Sequence, residues 1–542
     1  MHGWWGLARA GISAALMAAG LVAAAPAVPA AAQAGASRSG AAQAGPSGRA
    51  GATGRAPAVR TPRRREDVNR RNVDGSTPLQ WAVFEGNLAE ARRLLRAGAK
   101  VSVANAYGAT PMSLAAEVGN ADMIGLLLEA GADADAPNPE GQTALQAVAR
   151  TGNVAAAQLL LKAGASVDAR EKWGGQTALM WATARRHPEM MRLLISKGAD
   201  VNARSAVRDY QRHVTAEGRP KSLDSGGLTP LLYAARENCL ACVDVLLEHR
   251  ADIDLPDPDG VSPLLVAVMN ANWDLARRLI LAGADVDQWD IYGEAPLYTA
   301  IDLRSRVDGG RASIDPTNAT TGLALITLLL ERGANPNMQL FFKPANVRGG
   351  NHTRGATPLI RAATNGDLDV VTLLLKHGAD ATLSMADRQT PIHAVLSGRA
   401  PEPQARELIR VLHDAGTDVN VVALVNHPEE IRGGTALHYA VRKRYKDVIE
   451  QLAAYKADLD ATDQDGLTAL DYTQSRGFMP FMALQTPLYN EEAALLRELG
   501  ATKLLEKSPV WPVLGPPQGV WADIWPLGES RVHAPIYQRE GQ

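Results

Sequence analysis

The chain has few aromatic residues and few cysteines. Its 542 residues contain only 5% Phe, Trp and Tyr, with five Phe and two Cys. Hydrophobic residues nevertheless make up 46%, so the apolar volume comes from Ala, Leu and Val packed at short range, which suits closely packed helix pairs. The two cysteines, Cys239 and Cys242, cannot complete a four-ligand zinc site by themselves.

A strong net charge and long apolar runs are also missing. The formal charge is -2, from 56 basic and 58 acidic residues, which provides no global field to attract nucleic acid or an anionic membrane. Beyond the N-terminus no run reaches the roughly 18 apolar residues of a membrane-spanning helix. The sequence therefore predicts no nucleic-acid partner and no membrane span in the mature chain.

The N-terminus is typical of an export signal. An apolar run, GISAALMAAGLVAAA, is followed by small residues and prolines, which predicts a signal peptide over residues 1–32 with cleavage after Ala32. An uncleaved anchor is the alternative, although Pro26 and Pro29 make it a poor membrane helix. Residues 33–67 lack an apolar face and are predicted to form a disordered linker. We expect an exported protein, periplasmic or secreted.

A repeat becomes visible when the TPL-like tripeptides are aligned. Six of the ten spacings between their first residues are 33, and the others are 34, 45, 52 and 62. These first residues, the anchors, are Thr77, Thr110, Thr143, Thr177, Thr229, Ser262, Ala295, Thr357, Thr390, Thr435 and Thr468.

Each unit predicts two helices and a turn. Thr77 can cap a helix and Pro78 suits its first position. In GNLAEARRLLRAGAK, Leu88, Ala91 and Leu94 form one apolar helical face, and Gly98 can adopt the left-handed conformation that ends the helix. About a dozen polar residues then form a turn or hairpin, which we call a finger. The prediction is an all-α solenoid of stacked helix pairs.

Helix, helix and finger, with TPLQWA or TALHYA at the start and LLLEAGADADA at the end, resemble the ankyrin repeat over about residues 68–505, in eleven units. Residue usage and the signal suggest a bacterial, exported member. The resemblance implies that His393 and His438 brace their turns, and other residues at the same position predict that this brace is mostly absent elsewhere. Arg250 and Lys456 replace the helix-ending glycine, which should loosen their repeats slightly.

Irregular spacings place inserts near residues 205–224, 305–321, 338–355, 421–433 and 477–490. Those near 205–224, 338–355 and 421–433 enlarge fingers, on the side where ankyrin proteins usually hold partners. Exposed aromatics beside cations favour an interface anchor, although local packing of the two Phe stays open. The predicted partner-binding residues are Tyr210, Arg212, Phe341, Phe342 and Lys343.

Signs of chemistry are scarce. Cys239 and Cys242 are either packing thiols or a local disulfide, because the thioredoxin-like pattern of an oxidoreductase is absent. Acid-rich fingers such as DIDLPDPDG lack the acids that the first and last positions of a calcium loop require. No catalytic motif was found, and the sequence predicts no enzyme, no catalytic residue, no cofactor and no metal.

The C-terminal segment, residues 506–542, leaves the repeat pattern and is rich in Pro and Trp. Either a cap on the last repeat or a second docking peptide fits its composition. The sequence as a whole predicts a monomeric, non-catalytic scaffold that binds an unidentified partner protein through its concave face and long fingers. The alternative is a receptor for an anionic envelope polymer or a small ligand, held by basic finger inserts.

Overall fold

The computed structural model describes residues 67–207, 226–304, 317–341, 354–424, 433–473 and 489–504. The predicted signal peptide, nearly all of the linker, the C-terminal segment and much of each insert lie outside these ranges. Their boundaries remain predictions.

Twenty-two helices form eleven pairs in the described ranges. We number them α1 to α22 in chain order, and we call the first helix of each pair inner and the second outer. The inner helices are Pro78–Phe84, Pro111–Val118, Ala144–Thr151, Ala178–Ala184, Pro230–Arg236, Pro263–Met269, Pro296–Arg304, Pro358–Asn365, Pro391–Ser397, Ala436–Lys443 and Ala469–Thr473. The outer helices are Leu88–Arg96, Ala121–Glu129, Val154–Lys162, Pro188–Ser196, Leu240–Glu248, Trp273–Leu281, Gly322–Glu331, Leu368–Lys376, Glu402–Asp414, Lys446–Ala454 and Asn490–Glu498.

The anchors begin the inner helices as the sequence predicts. The Thr229 hydroxyl accepts a hydrogen bond from the Leu232 N–H at 3.2 Å, and Pro230 is the first helical residue. A side-chain oxygen at the N-cap satisfies one of the N–H groups that a helix start leaves unpaired. Several outer helices have Asn or Asp caps that act in the same way, such as Asn87, which accepts from the Glu90 N–H at 3.0 Å.

The ends of the outer helices confirm the predicted left-handed positions. Gly98 has φ +90°, whereas Arg250 and Lys456 hold the same conformation at φ +60° and +63°. A side chain with a Cβ pays on the order of 1 kcal/mol for this region. Repeats 5 and 10 therefore carry local backbone strain.

Stacking of the pairs forms the core. Each inner helix packs against the next inner helix along the chain, from α1 to α21. A single cluster of buried apolar side chains consequently runs from Leu79 to Ala501. The predicted all-α solenoid of stacked helix pairs is confirmed.

Neighbouring fingers are joined by a ladder of backbone hydrogen bonds. The Ala106 N–H donates to the Asp74 carbonyl at 2.9 Å, and the Ile291 N–H donates to the Asp259 carbonyl at 2.9 Å. These hydrogen bonds identify equivalent positions in successive fingers, whatever number of residues an insert adds. They therefore allow fingertip residues of different repeats to be compared.

Three inserts leave and re-enter the fold at a finger, the third through an antiparallel bridge between Ala423 and Gly434. Residues Val207 and Gly226 pair as an antiparallel bridge where the first insert departs and returns. In the seventh finger the Leu340 N–H donates to the Ala356 carbonyl at 3.1 Å. Extra residues between the helices of repeat 9 instead lengthen α18, which has 13 residues where most outer helices have nine.

Candidate interaction surface

Exposed large apolar side chains are unevenly distributed along the solenoid. Within the described ranges, the part of the chain after Phe341 has only Leu504 in this group. The part up to Phe341 has Val73, Trp81, Phe84, Tyr107, Val118, Trp173, Val207, Leu240, Met269, Leu281, Trp289 and Phe341. Among the residues that the structure describes, repeats 1 to 7 thus carry all but one of the large exposed apolar side chains.

Two aromatic side chains stand on the inner helix of repeat 1. Trp81 and Phe84 are 46% and 64% exposed, and their rings meet edge to face with centroids 6.0 Å apart. They are three residues apart on α1, so they share one helix face. At the position of Trp81, repeats 3 and 5 carry Ala147 and Tyr233, which are buried.

The tip of the finger before repeat 4 carries Trp173, which is 74% exposed. Its neighbours on both sides belong to the ladder: the Lys172 N–H donates to the Glu140 carbonyl, and the Gly174 carbonyl accepts from the Ala206 N–H. Trp173 is therefore one extra residue between two ladder positions.

The carboxylate beneath this fingertip fixes its shape. Glu171 is buried and accepts from the backbone N–H groups of Trp173 at 2.5 Å and Gly174 at 2.7 Å. A charged acceptor bonded to several N–H groups holds a turn firmly. Sequence reasoning missed Trp173, although the single spacing of 34, from Thr143 to Thr177, was its signal.

Phe341 is both packed and exposed. Its N–H donates to the Tyr292 carbonyl at 2.9 Å, which places it on the finger ladder, and its ring meets Trp289 edge to face at 6.0 Å. The side chain is still 56% exposed. The local-packing and binding interpretations are thus compatible for this residue.

The remaining predicted partner-binding residues lie outside the described ranges. They are Tyr210, Arg212, Phe342 and Lys343. Their role in binding stays a prediction.

Cys239 and Cys242 form a disulfide with an S–S distance of 1.98 Å. Cys239 is the N-cap of the outer helix Leu240–Glu248, and Cys242 is its third residue. Both sulfurs belong to the apolar core. The N-cap and third positions of a helix lie close together, which explains how a C-x-x-C spacing brings the two sulfurs within bonding distance.

Histidine braces are present in repeats 9 and 10, as the resemblance implies. His438 is fully buried; its Nδ1 accepts from the Thr435 N–H at 3.1 Å, and its Nε2 contacts the Leu467 carbonyl at 3.1 Å. His393 makes the equivalent pair of contacts, with the Gly434 carbonyl as its second partner. Each ring connects its own repeat to the next.

Burial lowers the pKa of both histidines to about 4, with desolvation of the charged form as the main cause. A neutral imidazole that accepts at Nδ1 carries its proton on Nε2 and donates it to the carbonyl. The brace therefore requires the neutral ring.

Elsewhere the imidazole of the brace is absent, as expected, but in repeats 1 and 3 a glutamine at the same position makes equivalent contacts. Gln80 Oε1 accepts from the Thr77 N–H at 2.7 Å, and its Nε2 donates to the Ala109 carbonyl at 2.6 Å. Gln146 makes the same contacts, with Thr143 and with the Gln176 carbonyl. A glutamine amide has an acceptor and a donor at a separation similar to that of the two ring nitrogens, so it can replace the imidazole.

Acid-rich fingers use their carboxylates internally. Asp257 accepts from the Asp259 and Val261 N–H groups at 2.9 Å each, and Asp463 accepts from Asp465 and Leu467 at 2.8 Å each. These contacts stabilise the turns. The described residues contain no group of three or more His, Cys, Asp or Glu placed to hold a metal ion.

A family model that comprises three copies of the ankyrin repeat matches four stretches of the chain, residues 58–138, 119–205, 231–308 and 319–423. A single-repeat model matches residues 432–464. Together these matches cover well over half of the chain. The chain belongs to the ankyrin-repeat family.

Several known proteins are similar to it. The mouse B-cell lymphoma 3 protein homolog is 31% identical over 208 residues, which are 36% of this chain and 46% of that protein. The E3 ubiquitin-protein ligase KEG of Arabidopsis thaliana is 24% identical over 329 residues, 56% of this chain and 18% of that protein. The chain therefore spans less than half the length of these curated relatives, which are eukaryotic.

Two solved structures are also similar. The ankyrin-repeat domain of Bcl-3 matches with 30% identity and a TM-score of 0.35, over 42% of this chain and 94% of that one. The human ASB11 ankyrin-repeat domain matches with 21% identity and a TM-score of 0.37, over 48% of this chain and 100% of that one. Among the described helices, none has both the length and the apolar character needed to cross a bilayer.

Proposed function

We propose that this protein is an exported, non-catalytic scaffold that binds a partner protein through the concave face and fingers of repeats 1 to 7. Membership of the ankyrin-repeat family supports a protein-interaction role. The observation that carries the proposal is the concentration of exposed apolar side chains in these repeats. Exported location is supported by the N-terminal sequence alone.

The three aromatic positions most suited to anchoring a partner are Trp81, Trp173 and Phe341. Each is attached to a rigid element: Trp81 to a capped helix, Trp173 to a turn held by a buried carboxylate, and Phe341 to the finger ladder. Aromatic anchors that are already ordered lose little entropy when a partner covers them. A scaffold that only stacked its repeats would gain nothing from exposing them.

Affinity capture from the envelope fraction tests the proposal. The wild type is compared with a Trp173→Ala, Phe341→Ala double variant and with a Leu504→Ala control, which removes an exposed apolar side chain from the last repeat. We expect the double variant to lose specific partners that the control retains. An identical set of captured proteins from all three would contradict binding at these fingers.

Salt separates this function from the alternative. An interface anchored by aromatic side chains should persist at high ionic strength, whereas binding of an anionic polymer through the Arg and Lys residues of the inserts should collapse. Capture repeated at low and high salt distinguishes the two. Loss of every ligand at high salt would favour the polymer receptor.

A further inference from the structure

The disulfide of repeat 5 occupies a helix-capping position. The Cys239 Sγ accepts from the Cys242 N–H at 3.2 Å. In repeats 1 to 3 the equivalent cap is an asparagine, Asn87, Asn120 or Asn153, whose Oδ1 accepts from the third helical residue at 3.0 Å. Sulfur has thus replaced an amide oxygen at a site where the helix needs an acceptor.

The two cysteines lie in the same apolar core but differ in their place on the helix, since Cys239 is the N-cap and Cys242 lies within the first turn. A Cys239 thiolate would be a far better acceptor for the Cys242 N–H than a thiol is, and it would lie at the positive end of the helix. Cys242 is 0% exposed among apolar neighbours, where a neutral thiol is favoured. In the reduced state the negative charge therefore belongs on Cys239.

Access is also unequal. Cys239 is 7% exposed whereas Cys242 is fully covered, so Cys239 is the residue that lies nearer to solvent. The cross-link joins residues only three apart, and so short a loop removes little entropy from the unfolded chain. As a structural staple this disulfide would contribute little.

We propose that Cys239 and Cys242 form a reversible dithiol–disulfide couple, with Cys239 as the sulfur that exchanges with external dithiols. A dithiol's thiolate attacks the Cys239 sulfur, the bond between the two cysteines breaks, and Cys242 leaves and takes up a proton. The second thiol of the reagent then closes its own disulfide and releases Cys239 as a thiolate. Two electrons pass from the dithiol to the protein, and the dithiol is oxidised.

This couple is independent of the proposed scaffold function. Its test uses the full chain under native conditions, with dithiothreitol as the reductant and an iodoacetamide-type reagent to trap free thiols, followed by peptide mass analysis. We expect complete reduction without denaturant and faster alkylation of Cys239 than of Cys242. Circular dichroism should confirm that the reduced protein stays folded. A disulfide that resists dithiothreitol until the protein is unfolded would overturn the proposal.

The pH dependence of alkylation tests the role of Cys239 in particular. For an ordinary thiol with a pKa of about 8.5, the alkylation rate falls roughly 100-fold between pH 8 and pH 6, since only the thiolate reacts. We expect Cys239 in a Cys242→Ser variant to lose less than about tenfold over the same range. A full 100-fold loss would contradict a thiolate held at the cap.

A Cys239→Asn variant is the matched structural control. It restores the cap that repeats 1 to 3 use while removing the exchange reaction. We expect it to fold as the wild type does and to leave Cys242 alkylated slowly. Rapid alkylation of Cys242 in this folded variant would contradict the proposal, because it would show that Cys242 is itself accessible and reactive.

Discussion

Repeats 1 to 7 and repeats 8 to 11 share one architecture but present different surfaces. The first group exposes twelve large apolar side chains in the described ranges, and the second exposes only Leu504. Both groups bridge neighbouring repeats through buried side chains, with glutamines in repeats 1 and 3 and histidines in repeats 9 and 10. The two groups therefore differ in the large apolar side chains that they expose and in the chemistry of their bridges, and not in whether bridges are present.

Bridges at the two ends differ in one chemical property. Gln80 and Gln146 hold the next repeat through a group that does not titrate, whereas His393 and His438 do so only when neutral. Because an amide and an imidazole make equivalent contacts here, exchanging them changes the pH dependence and largely keeps the geometry.

The largest expected effect is acid weakening of the histidine repeats. The unfolded chain protonates its histidines near pH 6.5, whereas the folded rings stay neutral down to about pH 4. The stabilisation that each neutral histidine provides is therefore fully present above pH 6.5 and is lost as the pH falls towards 4. The free energy of unfolding should fall by about 3 kcal/mol per histidine over this range. Hydrogen exchange, corrected for intrinsic rates, should show peptides within 433–473 losing protection between pH 7 and pH 5, more than peptides within 67–150.

A His393→Gln, His438→Gln double variant should remove this acid sensitivity. The amides supply the same acceptor and donor, so the stability at pH 7 should change by no more than about 1 kcal/mol per site. Urea unfolding at pH 7 and pH 5 measures both quantities. Undiminished acid sensitivity in the double variant would place its origin in other groups.

The opposite substitution, of glutamine by histidine, should make a repeat of the first group, repeats 1 to 7, sensitive to acid. A Gln146→His variant should bridge Thr143 to the Gln176 carbonyl and become weaker below about pH 6.5, by on the order of 1 to 3 kcal/mol at pH 4. A Gln146→Leu control lacks the bridge at every pH. Local hydrogen exchange of residues 144–162 distinguishes a variant that responds to pH from one that is weak throughout.

Loss of a glutamine bridge should have a moderate, pH-independent cost. Gln80→Leu leaves the Thr77 N–H and the Ala109 carbonyl without their partner, which should destabilise repeat 1 by about 1 to 3 kcal/mol. Hydrogen exchange of the peptide that covers residues 78–96 reports this locally. An unchanged exchange rate would indicate that the bridge contributes nothing to stability.

The smallest expected effect concerns backbone strain. Arg250→Gly and Lys456→Gly relieve left-handed residues that carry a Cβ, and each should stabilise its repeat by about 0.5 to 1 kcal/mol. Arg250 lies in repeats 1 to 7 and Lys456 lies in repeats 8 to 11. Equal gains in stability at the two sites would show that this backbone strain is common to both groups of repeats. Thermal unfolding monitored for each single variant measures the gain, and a loss at either site would contradict the strain.

Much of the fold follows from the sequence because its signals are local. Thr77 and Pro78 are adjacent, and the left-handed positions of Arg250 and Lys456 are set by their distance from an anchor. Features that depend on a neighbouring repeat were harder to predict. The Gln80 bridge needs a carbonyl supplied by Ala109, 29 residues away, and nothing in a four-residue motif reveals that glutamine can replace histidine there.

Surface residues show the same division. Phe341 was predicted as a partner-binding residue because two adjacent Phe in a glycine-rich stretch are conspicuous. Trp173 was not predicted to be exposed, because its exposure depends on its position relative to the finger ladder. Only the contacts of Lys172 and Gly174 on either side reveal it as an extra residue. The spacing of 34 marks an insertion but does not place it within the repeat.

Photo-crosslinking tests the central claim most directly, because it compares the two groups of repeats at the same structural position. A photoreactive residue is placed at Phe341 or at Ala386, which is exposed and whose N–H joins the finger ladder in the same way, through the Arg354 carbonyl. Both proteins are irradiated in the envelope fraction. We predict a specific protein adduct from position 341 and none from position 386; equal yields, or an adduct from position 386 alone, would contradict docking on repeats 1 to 7.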